Sequence, residues 1–337
     1  MITKSATTLQ CPNGWQAELA NAIRDPAQLL EQLQLPGDLL DAATRAAQQF
    51  PLRVPLSFVQ RMRVADPNDP LLRQVLPLDA ELEDVPGYNR DPVGDLDAMA
   101  SPGLIHKYHG RALLVTTGAC AVHCRYCFRR HFPYPEHAPN PLHWQEMLGY
   151  LAGHEEISEI ILSGGDPLSL SDKRIAELVT QFDAIPQLAT LRIHTRLPVV
   201  LPNRISPALV ATLSGTRLNV VMVLHINHPN ELDASLKRAI GELRKLGIHC
   251  LNQAVLLRGV NDQAATLIDL SQHLFTAGVL PYYLHQLDPV AGAHHFAVPL
   301  AEGQRIMAEV RAQLPGYLVP RYAQELAGAD AKRTIPY

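Results

Sequence analysis

The stretch RALLVTTGACAVHCRYC, residues 111–127, joins a short apolar run to three cysteines on one loop. Its first part, Ala112–Thr117, is rich in leucine and β-branched residues and predicts a buried strand. Cys120, Cys124 and Cys127 follow in a C-x3-C-x2-C arrangement. Three thiolates on one loop suit three corners of a [4Fe-4S] cluster and leave the fourth iron without a protein ligand. The stretch therefore predicts a metal centre at the end of a strand.

Zinc is the alternative for the same cysteines, with His123 or His131 as the fourth ligand. A closed zinc site usually pairs two short knuckles at a distance, and no second knuckle is found in this sequence. The pattern therefore favours the cluster. The other two cysteines, Cys11 and Cys250, are isolated, and we interpret them as a terminal thiol and a core thiol.

From Arg111 onward, apolar runs alternate with amphipathic segments six times, which is typical of βα units. The predicted strands are Ala112–Thr117, Glu159–Ser163, Ala189–His194, Leu218–Ile226, His249–Leu257 and Val279–Gln286. The predicted helices carry apolar residues three and four positions apart, and they are Trp144–Leu151, Lys173–Phe182, Pro207–Leu213, Leu232–Leu246, Gln263–Phe275 and Gly303–Leu314. Six such units predict an α/β fold, a partial (β/α)6 barrel that is an open relative of the eight-unit barrel.

The sequences that flank the predicted barrel lack its alternation of strands and helices. Residues 1–95 are rich in proline and in helical pattern (Trp15–Leu33 and Asp38–Gln49) without a strand signal, so we expect an N-terminal helical cap and connector. Residues 96–315 form the expected barrel, and residues 316–337 a short C-terminal tail.

Composition excludes several classes of protein. The chain of 337 residues is 47% hydrophobic and 18% charged, as packed globular proteins are. No apolar run approaches the about 20 residues that a membrane helix requires, so we expect no membrane partner. The start, MITKSATTLQCPNGW, lacks the apolar core of a secretory signal, so we expect a cytoplasmic protein with reduced cysteines. A net charge of −4 and a pI near 6.4 provide no basic field for nucleic acid.

Polar residues follow each predicted strand, where the carboxyl ends of parallel strands in a barrel carry the chemistry. The segments open, in chain order, with the cysteine loop, Gly164-Gly165-Asp166, Thr195-Arg196, His228-Pro229-Asn230, Arg258-Gly259 and Asp288. We therefore expect one open face to collect cysteine, acid, arginine and histidine side chains.

The cysteine loop, with Tyr126 just before Cys127, resembles the signature of the radical S-adenosylmethionine (SAM) superfamily. Gly164-Gly165-Asp166 after the second strand resembles the glycine-rich motif of that superfamily, whose backbone meets the SAM amino group. A Gly-Gly-Asp sequence at a strand end is also an ordinary turn, which is the alternative for these three residues.

Longer stretches resemble the lysine 2,3-aminomutases and cover roughly residues 50–337. They are FPLRVP (50–55), DPNDP (66–70), PGLIH (102–106), the Arg129-Arg130 pair, LSGGDPL (162–168), HINHPNE (225–231), NQAVLLRGVND (252–262) and YYLHQLD (282–288). The resemblance implies an isomerase that uses a [4Fe-4S] cluster, SAM and pyridoxal 5′-phosphate (PLP), and that converts L-α-lysine to (R)-β-lysine.

In that family PLP holds the substrate amine as an aldimine, and a lysine near the carboxyl terminus forms the resting Schiff base. Lys332 lies where that lysine lies, although the run Gly328–Pro336 departs from the family's glycine run and from its Lys-x-Pro spacing. The alternative for Lys332 is a frayed basic tail. Lys107 precedes the first predicted strand, and we weigh an approach to the cofactor against ordinary surface charge.

The same resemblance implies roles for other residues. Tyr108, Arg111, His225 and Gln253 would surround PLP, with a surface charge and a strand-capping amide as the alternatives for Arg111 and Gln253. Arg129 would bind the substrate carboxylate, because its planar fork makes two parallel hydrogen bonds. Asp288 and Glu325 would receive the ε-ammonium group of lysine, where the family more often has Asp in place of Glu325; the alternative for Asp288 is a turn cap before Pro289.

The short ending after Lys332 and the stretch Trp15…Asp25-Pro26…Leu29-Leu30 resemble the compact branch of the family. That branch makes (R)-β-lysine for the modification of translation elongation factor P, so we expect a functional link to that factor and to its lysyl-transfer enzyme. An electron donor such as flavodoxin or ferredoxin is also implied. The alternatives are an aminomutase for another amino acid, a radical SAM enzyme without PLP, and a zinc-bearing adaptor that binds the translation factor.

Overall fold

The computed structural model describes residues 14–137 and 140–337, so the interpretation of Cys11 falls outside the described residues. Within these ranges one ten-stranded sheet runs in the order of the sequence. Its strands are β1 Met99–Ser101, β2 Leu104–Tyr108, β3 Arg111–Val115, β4 Glu159–Ser163, β5 Thr190–Thr195, β6 Asn219–His225, β7 His249–Val255, β8 Leu280–His285, β9 Arg321–Gln324 and β10 Arg333–Thr334.

The α-helices described in these ranges flank the sheet or precede it. They are α1 Trp15–Ala20, α2 Pro26–Gln32, α3 Leu39–Gln49, α4 Leu56–Val59, α5 Tyr134–His137, α6 Pro141–Gly153, α7 Asp172–Asp183, α8 Leu197–Val200, α9 Pro207–Gly215, α10 Ala234–Lys245, α11 Ala264–Ala277 and α12 Leu300–Gln313. No described helix has the length and apolar character needed to cross a membrane.

The six predicted strands correspond to β3 through β8, and each pairs in parallel with the next. The six predicted helices correspond to α6, α7, α9, α10, α11 and α12, with small shifts at their ends. The partial (β/α)6 barrel is therefore confirmed. Short repeating units of this kind are visible in sequence because each strand buries apolar residues under the helix that follows it.

The sheet has more strands than the sequence predicted. A hairpin of β1 and β2 extends it beside β3, and β9 joins β8 in parallel before β10 turns back on β9. The residues expected as a tail thus add two strands to the barrel wall. These strands are two to five residues long and lack a long apolar run, so their pairing depends on the sheet beside them.

The helical pattern predicted over Trp15–Leu33 forms two helices, α1 and α2, and not one. Asp25 accepts a hydrogen bond from the N–H of Ala27 at 3.0 Å and caps α2, with Pro26 in its first turn. Proline has no N–H to continue a preceding helix, so α1 and α2 are separate. Fully buried Leu29 and Phe58 of this cap belong to the same apolar core as Leu191 of β5, which joins cap and barrel.

Side chains alternate between the two faces of the barrel wall. On β5, Leu191 and Ile193 are fully buried in the core, whereas Arg192 and His194 are only partly buried. Successive side chains of a strand point to opposite faces, so Arg192 and His194 face the inside of the barrel. On β5 the inner face thus carries polar side chains, whereas neighbouring strands place aliphatic residues such as Ile161 and Val221 beside Arg192.

Candidate active site

The cysteine loop leaves the carboxyl end of β3, beside the end of β4. The N–H of Thr116 donates to the carbonyl oxygen of Ser163 at 3.0 Å where the loop begins. Cys120, Cys124 and Cys127 are partly buried, unpaired thiols. Burial and the charge of Cys124 raise the pKa of Cys127 to about 11, because thiolates crowd one another. Crowded thiolates require a cationic partner, which iron ions of a cluster supply.

A single metal ion fits these thiols poorly. In residues 14–137 and 140–337, no three His, Cys, Asp or Glu side chains converge on one ion position. The thiolates of a cubane each bind a different iron, so they need not converge. The two histidines considered as zinc ligands are engaged elsewhere: a ring nitrogen of His123 lies 2.8 Å from the carbonyl oxygen of Pro51, and one of His131 lies 3.1 Å from that of Ala291. The donor set therefore favours the cluster over zinc.

Gly164 and Gly165 lie where the cysteine loop comes closest to the end of β4. A Cβ on Gly165 would stand 2.5 Å from the carbonyl oxygen of Ala119, and Gly164 has a φ of +126°, so glycine is required at both positions. The N–H groups of Gly165 and Asp166 donate to the carbonyls of Thr117 and Ala119 at 2.7 and 2.8 Å. The motif thus joins β4 to the cysteine loop, and its role toward SAM stays a prediction.

The carboxylate of Asp166 holds the turn that follows β5. It accepts hydrogen bonds from the hydroxyl of Thr195 at 2.7 Å and from the N–H groups of Arg196 and Leu197 at 2.7 and 2.8 Å. Asp166 therefore connects two neighbouring strand ends in addition to closing its own turn.

Five charged side chains of alternating sign form what we call the charge chain, namely Arg129, Asp95, Lys107, Glu325 and Lys332. Asp95 receives Arg129 Nε on one oxygen and Lys107 Nζ on the other, both at 2.6 Å. Lys107 Nζ also lies 3.1 Å from Glu325, whose second oxygen accepts from the Lys332 ammonium. The structure thus brings together three predicted site residues, Arg129, Glu325 and Lys332, although they lie far apart in sequence.

Two members of the charge chain were not assigned from the sequence. Asp95 lies at the expected boundary between cap and barrel, where nothing in the pattern marks it. Lys107 precedes the first predicted strand, as expected, but it lies within β2, which was not predicted, and its side chain is only 13% exposed. An ordinary surface charge is therefore excluded for Lys107.

The two predicted acids are in opposite electrostatic states. Burial alone would raise the pKa of Glu325, but the ammonium groups of Lys332 and Lys107 lower it to about 2. Burial and the nearby charge of Glu325 raise the pKa of Asp288 to about 7, against the opposing effect of Lys332. Asp288 has no ion-pair partner in the described part of the chain. One acid is thus neutralised by two lysines, and the other is buried without an ion pair in the described part of the chain; its role toward a ligand stays a prediction.

The four residues expected around PLP lie on two pairs of adjacent strands, β2–β3 and β6–β7. Tyr108 and Arg111 pair across the β2–β3 hairpin, with the guanidinium 4.8 Å from the ring centroid. Burial and Glu325 raise the pKa of Tyr108, which places Tyr108 beside the charge chain. Arg111 has no ion-pair partner among the described residues, so its cation remains available to an anion. His225 and Gln253 are direct cross-strand neighbours on β6 and β7.

Three histidines inside the barrel are neutral, and two of them, His194 and His285, were not assigned from the sequence. Burial, with the charge of Lys332, lowers the pKa of His285 to about 3, and burial with Arg196 does the same for His225. In the described part of the chain, Nε2 of His194 and Nε2 of His225 are buried without a hydrogen-bond partner. Unpaired nitrogens of this kind fit the polar groups of a bound cofactor. His194 is the last residue of a predicted strand, and this position at a strand end is the sequence feature that could have identified it as a site residue.

Comparison with known proteins places the chain among enzymes. The family model of the Radical SAM superfamily matches residues 114–270. The L-lysine 2,3-aminomutase of Escherichia coli (strain K12) is 49% identical over 97% of this chain and 96% of its own length. The enzyme of the same name from Haemophilus influenzae is 47% identical over 94% of each chain, and that of Clostridium subterminale 31% identical over 96% of this chain and 78% of its own. The chain therefore belongs to the L-lysine 2,3-aminomutase family of radical SAM enzymes.

Proposed function

We propose that this protein is an isomerase that moves the α-amino group of L-lysine to the β-carbon and so makes (R)-β-lysine. The observation that carries the proposal is the joining of Arg129 to Glu325 and Lys332 through Asp95 and Lys107. A carboxylate-binding cation and an amine for PLP are thereby held in one connected set, and Asp288, whose pKa is raised by burial and by Glu325, adds an acid without an ion-pair partner in the described part of the chain for the ε-ammonium group. This is the set of groups that a diamino acid with one carboxylate requires.

Enzymes of this family use a [4Fe-4S] cluster, SAM and PLP. When bound, the cluster and SAM supply a hydrogen-abstracting radical, and PLP supplies the π-system through which an amino group can migrate. Cys120, Cys124 and Cys127 would hold the cluster, and Lys332 would hold PLP. Gly164, Gly165 and Asp166 would lie against SAM, whereas Tyr108, Arg111, His225 and Gln253 would contact PLP, with Arg111 as the unpaired cation for its phosphate.

Arg129 orients the substrate through its carboxylate. Asp95 binds its Nε at 2.6 Å, and the hydroxyl of Ser163 accepts from its Nη1 at 2.9 Å. Among the described residues no hydrogen bond engages Nη2, which leaves that nitrogen for a ligand. Because two of its three nitrogens are fixed by buried partners, the guanidinium plane is set before the substrate arrives.

Asp288 and Glu325 select the ε-ammonium group. Glu325 already pairs with the ammonium groups of Lys107 and Lys332. Asp288 therefore supplies the carboxylate that pairs with the ε-ammonium group of the substrate. A buried ammonium next to an ionised Asp288 is compensated, whereas a neutral or anionic side chain there is not. The pocket therefore favours lysine over alanine and glutamate.

The wider assignment is also part of the proposal. We infer that (R)-β-lysine serves the modification of translation elongation factor P by a lysyl-transfer enzyme, and that a flavodoxin or ferredoxin in the cytoplasm donates the electron. Its support is the resemblance of the stretch Trp15–Leu30 to the compact branch, together with 49% identity to the Escherichia coli relative against 31% to the Clostridium subterminale one.

The decisive experiment is an anaerobic incubation of the reconstituted protein with SAM, dithionite, PLP and single amino acids, read by chiral chromatography. We expect (R)-β-lysine from L-lysine only, and none when PLP is omitted. Cys120→Ala should lose the iron chromophore and all product, with Cys250→Ala, a buried cysteine of β7 in the apolar core, as the matched control. A product from another amino acid, or turnover that is independent of PLP, would contradict the proposal.

A further inference from the structure

Arg196 is a buried cation aimed at one of the three motif cysteines. It is 6% exposed and follows β5. Its Nη1 donates to Sγ of Cys124 at 2.9 Å and also to the hydroxyl of Tyr126. In residues 14–137 and 140–337, no other motif sulfur has a hydrogen bond from a charged side chain. The contact therefore distinguishes Cys124 from Cys120 and Cys127.

The surrounding residues fix this guanidinium from both ends. Its backbone N–H donates to Asp166 at 2.7 Å, which sets where the side chain begins. Its Nη2 donates to Gln74 Oε1 at 2.7 Å and to Glu231 Oε2 at 3.1 Å. Asn227 in turn donates its N–H to the other oxygen of Glu231 at 2.9 Å. Residues from three elements thus orient the Arg196 side chain, namely Gln74 of the cap, Asp166 of the turn after β4 and Glu231 of the loop after β6.

The partners of Arg196 are as buried as Arg196 itself. Gln74, Asn227 and Glu231 are all 0% exposed, and Tyr126 is 4% exposed. A charge held without water interacts strongly with its neighbours, and a buried arginine stays protonated beside an anion.

A hydrogen bond from a cation to a ligating thiolate withdraws electron density from the iron that the thiolate binds. Hydrogen bonds to the sulfurs and net charge are among the factors that set the reduction potential of such clusters. A radical SAM cluster must accept an electron before it can act on SAM. A donor at Cys124 therefore favours the reduced state.

We propose that Arg196, aimed by Asp166 and Glu231, raises the reduction potential of the cluster through its hydrogen bond to Cys124. The inference rests on the proposed function only in that the three cysteines hold a [4Fe-4S] cluster. It requires neither PLP nor lysine. Arg196 acts through Cys124 and is a tuning and positioning residue.

The test is a redox titration of the reconstituted protein followed by electron paramagnetic resonance, without PLP and without lysine. We compare wild type, Arg196→Gln and Arg196→Lys. Arg196→Gln removes the charge, and we expect the ratio of reduced to oxidised cluster at a fixed potential to fall about tenfold, or about 59 mV for one electron. Arg196→Lys keeps the charge and should lie between the two. Arg204→Gln is the matched control, because Arg204 is also fully buried and bonds to Leu168 O and Asp172 instead of a cysteine.

Glu231→Gln provides a second test, in which the reduction potential of the cluster should shift in the opposite direction. It removes the anion that partly offsets Arg196 while keeping an oxygen acceptor, so the potential should rise. If Arg196→Gln retains no cluster, Arg196→Lys and Glu231→Gln decide the question. Unchanged potentials in the Arg196 and Glu231 variants, or an equal shift in Arg204→Gln, overturn the inference. A wild type without iron and sulfide overturns the proposed function as well, whereas a normal cluster with no turnover of lysine overturns the proposed function alone.

Discussion

At the scale of single residues, the site holds two acids in opposite states, and the difference lies in their partners. Glu325 faces two ammonium groups and has a pKa of about 2, whereas Asp288 faces Glu325 and has a pKa of about 7. An acid with a lowered pKa stabilises the folded state above its ordinary pKa, and an acid with a raised pKa costs stability once it must ionise. The ionised form of Asp288 that would bind an ammonium group is therefore also the form that destabilises the ligand-free protein.

Asp288→Asn should reduce lysine turnover by roughly two or more powers of ten, because an ammonium without its carboxylate partner is costly in a partly desolvated pocket. The measurement is kcat/KM for L-lysine with saturating PLP and SAM. SAM binding should be unchanged, since Asp288 is proposed to bind the substrate ammonium group and not SAM. Normal turnover of lysine in this variant would show that another group receives the ε-ammonium.

The same substitution should stabilise the ligand-free protein at alkaline pH. The pKa of Asp288 lies above its ordinary value of 3.8, so the cost of ionisation appears as the pH rises through about 4 to 7 and is complete above 7. Asparagine does not ionise, so Asp288→Asn should gain up to roughly 4 kcal/mol in free energy of unfolding at pH 8 and much less at pH 5. Urea unfolding at both pH values measures this. Glu325→Gln should lose stability at pH 8, and an equal gain from both variants would refute the assignment of charges.

Lys332→Ala should abolish borohydride-dependent labelling of the protein by PLP while leaving iron and sulfide content unchanged. The reason is that Lys332 joins the charge chain inside the site, beside Glu325 and near His285. Lys173→Ala, in the first turn of α7, is the matched control and should label normally. A peptide map that places the pyridoxyl group on Lys107 would reassign the cofactor lysine.

At the scale of elements, the packing of β9 against α12 positions Glu325, the site residue that follows β9. Gly303 of α12 lies against Tyr322 of β9, and a Cβ on Gly303 would stand 2.0 Å from the Tyr322 hydroxyl oxygen. Tyr322 is fully buried with Leu284 of β8 and Ile306 of α12 in one apolar cluster. Burial of a side chain this large stabilises by roughly 1.5–3 kcal/mol. Glu325 follows β9 directly, so this packing sets the position of the acid.

Gly303→Ala should therefore cost about 1–3 kcal/mol by overpacking and should lower pyridoxyl labelling more than cluster content. Thermal unfolding and the two cofactor assays measure the separate effects. The double variant Gly303→Ala, Tyr322→Phe should recover part of the stability, because it removes the clashing oxygen. Gly241→Ala in α10, where nothing lies within 4 Å of the added methyl, should be neutral or stabilising. Equal losses from both glycines would show that the Tyr322 contact is unimportant.

At the scale of the whole molecule, the cap is bound to the cysteine loop by buried charge as well as by apolar packing. Glu81, in the short 3₁₀ turn Asp79–Leu82 of the cap, accepts from Arg125 Nε at 2.8 Å and from Arg130 Nη2 at 2.7 Å. Both guanidiniums lie over the ring of Phe50, at 4.7 and 4.6 Å. Arg125 and Arg130 flank Cys127, so the cap holds the loop that holds the thiols.

Glu81→Ala should cost about 3–5 kcal/mol, because it leaves two buried guanidiniums without their anion. Iron content after reconstitution should fall in parallel. Asp79→Ala removes an acid of the same turn that pairs with Arg45 at the surface, and we expect little change from it because exposed ion pairs contribute little. Urea unfolding and iron analysis of both variants make the test. Similar behaviour of the two would mean that the buried cluster does not connect cap and loop.

The sequence by itself predicted what depends on near neighbours along the chain. Apolar runs of strand length with helical spacing between them were enough for the six βα units, and three cysteines within eight positions were enough to predict the cluster ligands. Resemblance to a family then named Arg129, Asp288, Glu325 and Lys332. Spacing could not show that Glu325 is shared by two lysines, that Lys107 is internal, or that the last residues pair as strands.

Those features were decided by tertiary structure alone. Lys107 and Glu325 are separated by 218 positions, and Arg196 and Cys124 by 72, so no local pattern connects either pair. Arg196 and Cys124 meet because the parallel strands β3 and β5 bring their carboxyl ends to one face of the barrel. Lys107 lies on the antiparallel strand β2 and meets Glu325, which follows β9, because the two edges of the sheet approach each other. Burial then makes each unpaired charge costly enough to require a partner. Local periodicity determined which segments become strands and helices. Long-range packing determined which charges meet, and therefore which acid pairs with two lysines, which acid has no ion-pair partner among the described residues, and which cysteine receives a cation.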